Sequence, residues 1–193
     1  MAERRRKGSD TKAEIQEIAL HLFAENGYEA TSMREIAERL DISKAALYYH
    51  FAGKEDIIRA LFDEYTQELD DLLAWGRTQP RSAALRDEIL ARWVDLSGRR
   101  GLQIARFATT NQHVIRDLAP DRGGVRGRVD ELVGLLLGPD ASLHDRLRAR
   151  IALFSVNLAG FAGQDLSMND ADILTVAREV AHDLMPGQDA AAS

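Results

Sequence analysis

Apolar residues recur every three or four positions along almost the whole chain, and this spacing restricts the fold more than any other feature. The first clear run is Ile15, Ile18, Ala19, Leu22 and Phe23, which lies on one face of a helix. No segment alternates between apolar and polar residues for long enough to predict a half-buried strand. The sequence therefore predicts an all-α protein.

Stop and cap signals divide the N-terminal region into short helices. Asn26-Gly27 ends the first helix, because glycine accepts the left-handed conformation found at helix ends. Thr31 or Ser32 can cap the second helix, and Glu35, three residues after Ser32, gives a capping box. Ser43 is placed to cap a third helix. Two short helices joined by a three-residue turn and preceded by another helix describe a helix-turn-helix.

The third helix, in the segment SKAALYYHF at residues 43–51, crowds bulky and polar side chains into a few turns. Leu47 and Phe51 lie four residues apart and can anchor it. Their expected partners are Ile18, Leu22 and Ile36. The side chains left to face outward are Lys44, Ala45, Tyr48 and Tyr49. Such a helix needs one anchored face and one face free for the major groove of DNA.

Residues 11–58 resemble the DNA-binding domain of TetR-family transcriptional regulators. The matching segment reads GYEATSMREIAERLDISKAALYYHFAGKEDI and keeps the turn, the caps and the third helix in register. The resemblance implies a two-fold dimer with an all-helical ligand-binding body. It also implies repression at a palindromic double-stranded DNA operator, which a small-molecule effector relieves.

The resemblance further assigns DNA contacts within this segment. The predicted set is Ser32, Arg34, Ser43, Lys44, Ala45, Ala46, Tyr48, Tyr49, His50 and Lys54. Tyr48, His50 and Lys54 match positions that grip phosphates, while the side bearing Tyr49 matches the base-facing surface. Arg34 matches a position that reaches a base edge, where a guanidinium suits guanine O6 and N7.

Two positions depart from the family pattern. Asp41 stands in the turn where the family often has glycine, and aspartate tolerates left-handed geometry better than most residues. Ala45 stands where a second glycine is frequent in the third helix. Alanine strengthens the helix but limits how closely the backbone approaches DNA. The operator sequence therefore cannot be inferred from the operators of related proteins.

The charge distribution is compatible with a local DNA-binding face. The chain has a net charge of −6, yet all its lysines lie near the N-terminus: Lys7, Lys12, Lys44 and Lys54. Binding requires a local basic surface and not a basic whole. The run Arg4-Arg5-Arg6-Lys7 predicts a flexible arm over the DNA backbone or minor groove, with a solubilising tail as the open alternative.

We expect four regions along the chain. They are a flexible basic arm at 1–10, the helix-turn-helix domain at 11–53, a helical ligand-binding and dimerisation domain at 54–186, and a disordered tail at 187–193. A long helix from Lys54 to about Trp75 begins the larger domain. Further helices are predicted at about 82–97, 99–110, 124–137, 143–166 and 171–184.

The helix at residues 150–166 has two contrasting sides. One side carries Phe154, Asn157, Phe161 and Gln164, and the opposite side carries Ala152, Ser155, Ala159, Ala162 and Leu166. We expect the aromatic side to line a ligand cavity. The small side would pack with the last helix in an intersubunit four-helix bundle, as the resemblance implies. In the alternative interpretation, both phenylalanines are ordinary core residues and Asn157 is satisfied locally.

The full set of predicted ligand-binding residues is spread over the larger domain. It comprises Trp75, Trp93, Phe107, Asn111, Phe154, Asn157, Phe161 and Gln164. Ligand pockets are mostly apolar with a few placed polar groups. This composition favours a lipophilic or aromatic effector.

Other classes of function find little support in the sequence. The absence of cysteine excludes disulfides, thiolate zinc sites and cysteine nucleophiles, and suits a reducing cytoplasm. No secretory signal, membrane-spanning stretch, histidine pair or nucleotide-binding motif is present, so we expect a cytoplasmic protein without cofactor, metal site or enzymatic activity. The alternatives are a TetR-like activator, or a helical small-molecule-binding protein or enzyme with a vestigial helix-turn-helix.

Overall fold

The computed structural model describes residues 2–98, 104, 107–108, 111–114, 122–163 and 166–186, with the backbone alone at 2–9 and 122–124. Over these ranges the chain is helical and contains no strand, which confirms the predicted fold class. The helices are α1 (Ala2–Asn26), α2 (Met33–Arg39), α3 (Lys44–His50), α4 (Lys54–Arg77), α5 (Ala83–Leu96), α6 (Arg122–Leu137), α7 (Leu143–Ala162) and α8 (Asp170–Leu184). The helix predicted at 99–110 lies largely outside the described residues.

The chain divides into two compact units, and the division falls inside α4. The first unit comprises Met1–Glu64 and Arg106–Pro120, and the second comprises Tyr65–Ala105 and Asp121–Ser193. The predicted boundary lies before α4 instead. The difference arises because Ile57, Ile58 and Leu61, in the first turns of α4, are buried in the core of the first unit.

The turns of the helix-turn-helix adopt the conformations predicted for them. Gly27 ends α1 with φ +87°, and Asp41 has φ +52° in the turn between α2 and α3. The Ser32 hydroxyl accepts a hydrogen bond from the Glu35 backbone N–H. The Glu35 carboxylate accepts one from the Ser32 backbone N–H, which completes the capping box. The Ser43 hydroxyl accepts an amide N–H from the first turn of α3 at 3.1 Å. Local chemistry thus sets where α2 and α3 begin.

The core of the first unit combines α1 with the helix-turn-helix. Its fully buried side chains include Ile15, Ala19, Phe23, Ile36, Leu47, Ile57 and Ile58. Helix α2 packs against both α1 and α3. Two of the expected partners of α3, Leu22 and Ile36, are buried as predicted. Ile18 is only half-buried, because the inward face of α1 is centred on Ala19.

The N-terminal segment differs from its prediction. Helix α1 begins at Ala2, so the backbone of the expected flexible arm is helical. Alanine, glutamate, arginine and lysine are good helix formers, and the single glycine, Gly8, does not end the helix. The disordered tail expected at 187–193 lies outside the described residues.

The second unit is a helical bundle in which α7 packs along α8 and both contact α5. At its centre Trp93 is fully buried, and its indole Nε1–H donates to the Leu153 carbonyl at 2.9 Å. Helix α7 ends at Ala162, earlier than the predicted residue 166, because Gly163 caps it. Small residues on α7, among them Ala149, Ala152 and Gly160, face this core.

Candidate nucleic-acid interface

One side of α3 is buried and the other is open to solvent. Leu47 is completely buried, and Phe51 at the helix end is almost completely buried. Tyr48 is 51% exposed and Tyr49 is 85% exposed. The remaining exposed residues of this region are Ser43, Lys44, Ala45 and Ala46. A helix held by one face, with polar and small side chains on the other, has the form needed to enter a major groove.

The last turn of α3 pairs two of the predicted contact residues. The rings of Tyr49 and His50 lie 5.3 Å apart, edge to face. His50 is half-buried, so it supports the more exposed tyrosine from the side. Tyr49 thus contacts a ring of its own helix and is otherwise largely open to solvent.

Arg34 and Ser32, in and beside α2, are exposed but already have partners. The Arg34 Nε–H donates to Glu38 Oε1 at 2.6 Å, and this hydrogen bond raises the pKa of Arg34. The Ser32 hydroxyl donates to the Glu35 carboxylate at 2.9 Å. The backbone N–H of Ser32 also donates to it, at 2.7 Å, and is the main cause of the lowered pKa of Glu35. Arg34 thus forms an exposed ion pair within α2, and Ser32 takes part in the cap of that helix.

Lys54 is half-buried at the start of α4. Its ammonium donates to the Tyr28 carbonyl at 2.6 Å and lies 4.4 Å from the centre of the Tyr28 ring. A longer contact reaches the Glu29 carbonyl at 3.5 Å. Lys54 is thereby tied to the turn between α1 and α2.

Tyr28 is a central residue of the first unit, although the sequence did not single it out. Its ring packs against Phe23 at 5.1 Å and against Phe107 at 5.9 Å between ring centres. Its hydroxyl donates to Glu55 Oε1 at 3.1 Å. Burial, followed by the nearby Glu55 carboxylate, raises the pKa of Tyr28, so the hydroxyl remains a donor. The available signal was a tyrosine directly after a helix-ending glycine, which does not reveal the partners of its ring.

Trp93 and Asn157 lie in the second unit, but each is already paired. Trp93 donates to the Leu153 carbonyl, as described above. Asn157 Oδ1 accepts from the Ser97 hydroxyl at 3.0 Å, and its side chain also hydrogen-bonds Tyr65. Burial raises the pKa of Tyr65 to about 12. These contacts fit the alternative interpretation of Asn157 as a locally satisfied polar residue.

Phe154 and Phe161 do not line an enclosed cavity. They are 41% and 54% exposed, whereas Ala152 and Val156 on the same helix are fully buried. The predicted assignment, with the aromatic side of α7 toward a cavity and the Ala152 side toward a partner, is therefore corrected: the Ala152 side is buried within the unit. The reason is that small side chains allow α7 to pack closely within its own unit, as Ala152 and Gly160 do.

The other predicted pocket residues fall in two different units of the chain. Phe107 and Asn111 belong to the first unit, where the Asn111 Nδ2–H donates to the Phe107 carbonyl at 3.1 Å. Trp75 is half-buried in the second unit and carries the Arg92 guanidinium 3.8 Å above its ring centre. Gln164 lies outside the described residues. The described candidates are therefore divided between the two units.

An open cleft of about 580 Å³ lies between α4 and α5 in the second unit. Its lining consists of Glu68, Asp71, Leu72, Glu88, Arg92, Asp95 and Leu96. The Arg92 guanidinium pairs with Glu88 at 2.8 Å. The other charged residues that line the cleft are all carboxylates, so its surface is acidic. None of the predicted ligand-binding residues lines this cleft, and its lining is acidic where an apolar one was expected.

Two further kinds of feature are absent from the part of the chain that the structure describes. No group of three or more histidine, cysteine, aspartate or glutamate side chains is arranged there to hold a metal ion. No helix of that part has the length and apolar character needed to cross a bilayer.

Comparisons with known proteins agree with this geometry. Residues 15–61 match the family model described as "Bacterial regulatory proteins, tetR family". The chain is 44% identical over 48 residues to the biofilm operon icaADBC HTH-type negative transcriptional regulator IcaR of Staphylococcus epidermidis, covering 25% of this chain and 26% of that protein. It is 36% identical over 72 residues to the HTH-type transcriptional repressor KstR2 of Rhodococcus jostii, covering 35% of each. The chain thus spans only about a quarter to a third of the length of these relatives.

The fold of the whole chain also has solved counterparts. A transcriptional regulator (TerR/AcrR family) from Aquifex aeolicus aligns with a TM-score of 0.65 over 91% of this chain and 99% of its own, at 18% sequence identity. At that identity the likeness concerns the fold alone. The residues that match the family model include all of α2 and α3, and therefore the exposed side chains of α3. Residues 15–61 therefore form a domain that matches the tetR family of bacterial regulatory proteins.

Proposed function

We propose that the chain is a homodimeric, sequence-specific DNA-binding transcriptional regulator. It acts as a repressor that a small-molecule effector releases from a palindromic operator. The observation that carries this proposal is α3, which is anchored by Leu47 and exposes Tyr48 and Tyr49 within a tetR-family domain. The names of two relatives, a negative regulator and a repressor, support repression over activation.

In this proposal α3 enters the major groove. The base-facing side chains are Lys44, Ala45, Ala46 and Tyr49. Tyr48 and His50 approach the phosphates on either side. Arg34 exchanges Glu38 for guanine O6 and N7, a contact that its planar guanidinium can make in bidentate form. The helical start of α1, with its basic residues, adds a phosphate contact outside the groove.

Exposed apolar side chains on α7 and α8 supply the proposed dimer surface. On α7 they form the apolar stripe Leu147, Ile151, Phe154, Leu158 and Phe161, and on α8 they are Val176 and Val180. The stripe residues are alternately four and three apart, which gives one seam along a helix. A large exposed apolar surface marks an interaction site. A second copy of the chain covering it completes a four-helix bundle across a two-fold axis.

This interface uses the Phe154 side of α7 and not the Ala152 side predicted from the sequence. Two-fold symmetry sets two copies of α3 about 34–36 Å apart, one helical turn of DNA. The operator is therefore expected to be a palindrome with half-sites in successive major grooves.

The effector is proposed to act through the second unit. An effector can shift the equilibrium only by the difference in its affinity for the operator-bound and free conformations. Helix α4 contributes residues to both units, so it is the natural element to carry such a shift. The cleft between α4 and α5 offers an opening at that helix.

Selection of fragments from the source genome with purified protein tests the proposal. The expected result is an enriched palindrome bound by a dimer, with an affinity that falls steeply with salt because several phosphates are contacted. Sedimentation of the complex supplies the stoichiometry. Binding that shows no sequence enrichment and disappears at modest salt would overturn the proposal.

A further inference from the structure

A carboxylate in the middle of α4 is held by two side chains of α1. Glu64 Oε1 accepts hydrogen bonds from Lys12 Nζ and from Gln16 Nε2, each at 3.1 Å. Lys12 and Gln16 are four residues apart, so they present their donors on the same face of α1. Lys12 and Glu64 are both half-buried, and their opposite charges make this hydrogen bond stronger than one between neutral groups. We call this group the Glu64 latch, formed by Lys12, Gln16 and Glu64.

Gln16 gives the latch a defined geometry. Its residue is only 1% exposed, and the neighbouring Ile15 and Ala19 are fully buried. Breaking a hydrogen bond of a buried amide costs more than breaking one at the surface, because water does not replace the lost partner. A shift of Glu64 away from α1 would take this acceptor from the Gln16 N–H. The latch therefore favours one position of α4 against α1.

Lys12 connects the latch to the end of α3. Its ammonium lies 5.8 Å from the centre of the Phe51 ring, which is within the range of a cation–π attraction. Phe51 is almost completely buried and caps α3, where its backbone N–H donates to the Leu47 carbonyl. One side chain of α1 therefore lies beside both the end of α3 and the middle of α4.

Glu64 also has a particular position in the chain. It is the last residue of α4 that belongs to the first unit, and Tyr65 is the first that belongs to the second. Within the second unit, Tyr65 is held by a hydrogen bond with Asn157 on α7. Helix α3 belongs to the first unit, whereas the apolar stripe proposed as the dimer surface lies on α7. In such a dimer, the direction in which α4 leaves the first unit determines the distance between the two copies of α3.

We propose that Glu64 is a positioning residue that fixes the direction of α4 through α1, and thereby sets the spacing of operator half-sites that the dimer accepts. This inference rests on the proposed function of a dimer on a palindromic operator. An operator with a different spacing can be bound only if α4 changes direction, and that change breaks the latch. The latch therefore penalises wrongly spaced operators and not the correctly spaced one.

Operators that differ only in half-site spacing test this role. The quantity measured is the affinity for the selected operator divided by the affinity for one that is a base pair longer or shorter. Glu64→Ala is expected to lower this spacing ratio about tenfold, the effect of losing a charge-assisted hydrogen bond. A smaller folded fraction would weaken binding to both operators equally and cancel in the ratio, so a merely structural role of Glu64 would leave the ratio unchanged.

Two further variants supply the control and an independent readout. Asp63→Ala removes a carboxylate from the preceding, exposed position of α4, and it should keep the wild-type spacing ratio. Lys12→Met keeps the aliphatic stem and removes only the charged partner, so it should lower the ratio as well. The double variant Lys12→Met with Glu64→Ala should lower the ratio no further than Glu64→Ala alone, because both changes remove the same contact. Circular dichroism verifies that each variant is folded during the binding assay.

The proposal is overturned by an unchanged spacing ratio in Glu64→Ala, by an equal fall of the ratio in Asp63→Ala, or by losses that add in the double variant. A wild-type protein that binds no palindrome marks failure of the proposed function instead. In that case urea unfolding decides whether the latch exists. Losses of unfolding free energy that are less than additive for Lys12→Met and Glu64→Ala show that the two side chains are coupled, and additive losses show that they are not.

Discussion

Helix α3 and helix α7 both expose bulky side chains, but the two surfaces differ in chemistry. On α3 the exposed groups are tyrosines beside a lysine, a serine and small residues, so each large ring carries a polar tip. On α7 the apolar stripe is made of leucine, isoleucine and phenylalanine. Tyrosine tolerates water at its hydroxyl while its ring packs, whereas aliphatic side chains gain only from removal of water.

The difference teaches which kind of partner each surface suits. A hydrated polyanion retains much of its water on binding and offers hydrogen-bond acceptors, which suits α3. The apolar stripe offers no donor or acceptor at its side-chain tips, so it suits another apolar surface such as its own copy. Substitutions on the two helices should therefore produce different kinds of failure.

The largest effect is expected from Leu158→Glu in the middle of the apolar stripe. A carboxylate there would be buried against its symmetry mate, so the dimer should dissociate, and operator affinity should fall about a thousandfold because the two half-sites lose their linkage. Analytical ultracentrifugation and operator titration measure both changes. Ala74→Glu, at an exposed position of α4, is the control and should remain dimeric. A Leu158→Glu protein that remained dimeric would show that the dimer interface lies elsewhere on the chain.

A second test concerns the buried underside of α3. Leu47→Ala removes a fully buried side chain and should lower the free energy of unfolding by about 3 kcal/mol, through lost apolar burial and a residual cavity. Urea denaturation measures the change. Ala46→Gly, one residue earlier on the exposed side, serves as a control with a cost of about 1 kcal/mol. An equal loss of unfolding free energy in the two variants would contradict the assignment of Leu47 to the buried face of α3 and Ala46 to its exposed face.

Tyr49→Ala tests the exposed side of the same helix. Because Tyr49 is 85% exposed, its loss should leave the melting temperature close to that of wild type. Affinity for the selected operator should fall about tenfold, since a base contact contributes roughly 1–3 kcal/mol. Competition with scrambled DNA shows whether the loss is specific to the operator. An unaltered preference would remove Tyr49 from the base-reading set.

The smallest effect is expected at the start of α3. Ser43→Ala removes the hydroxyl that accepts a hydrogen bond from the Ala46 N–H. It should lower the free energy of unfolding by about 1 kcal/mol. Ser43→Asp keeps an acceptor and should retain most of the stability, which thermal melting can verify. Its extra negative charge should still weaken DNA binding. A Ser43→Asp protein as unstable as Ser43→Ala would show that the cap is not what holds α3.

Features set by neighbours in the chain were predictable from the sequence. The caps at Ser32 and Ser43, the stop at Gly27 and the left-handed Asp41 all depend on residues within a few positions. Side-chain chemistry at such positions decides the local backbone with little influence from the rest of the fold. For that reason α2 and α3 lie where they were expected.

Features set by distant contacts were not predictable. Both sides of α7 are apolar enough to be buried, so its periodicity could not tell which side packs inside its own unit. The orientation of Lys54 depends on Tyr28, which is distant in sequence and buried by Phe107 from still further along the chain. Phe107 and Trp93, which were predicted in one set, likewise belong to different units.

The position of Phe107 has a consequence for how such proteins can exchange parts. The first unit is built from two separate stretches of chain, and Phe107 from the later stretch closes the aromatic group of Phe23 and Tyr28. A fusion that joined residues 1–64 to a foreign body would leave Phe107 behind and uncover both rings. New operator specificity is therefore better transplanted as individual side chains on the outer surface of α3 than as a whole N-terminal domain.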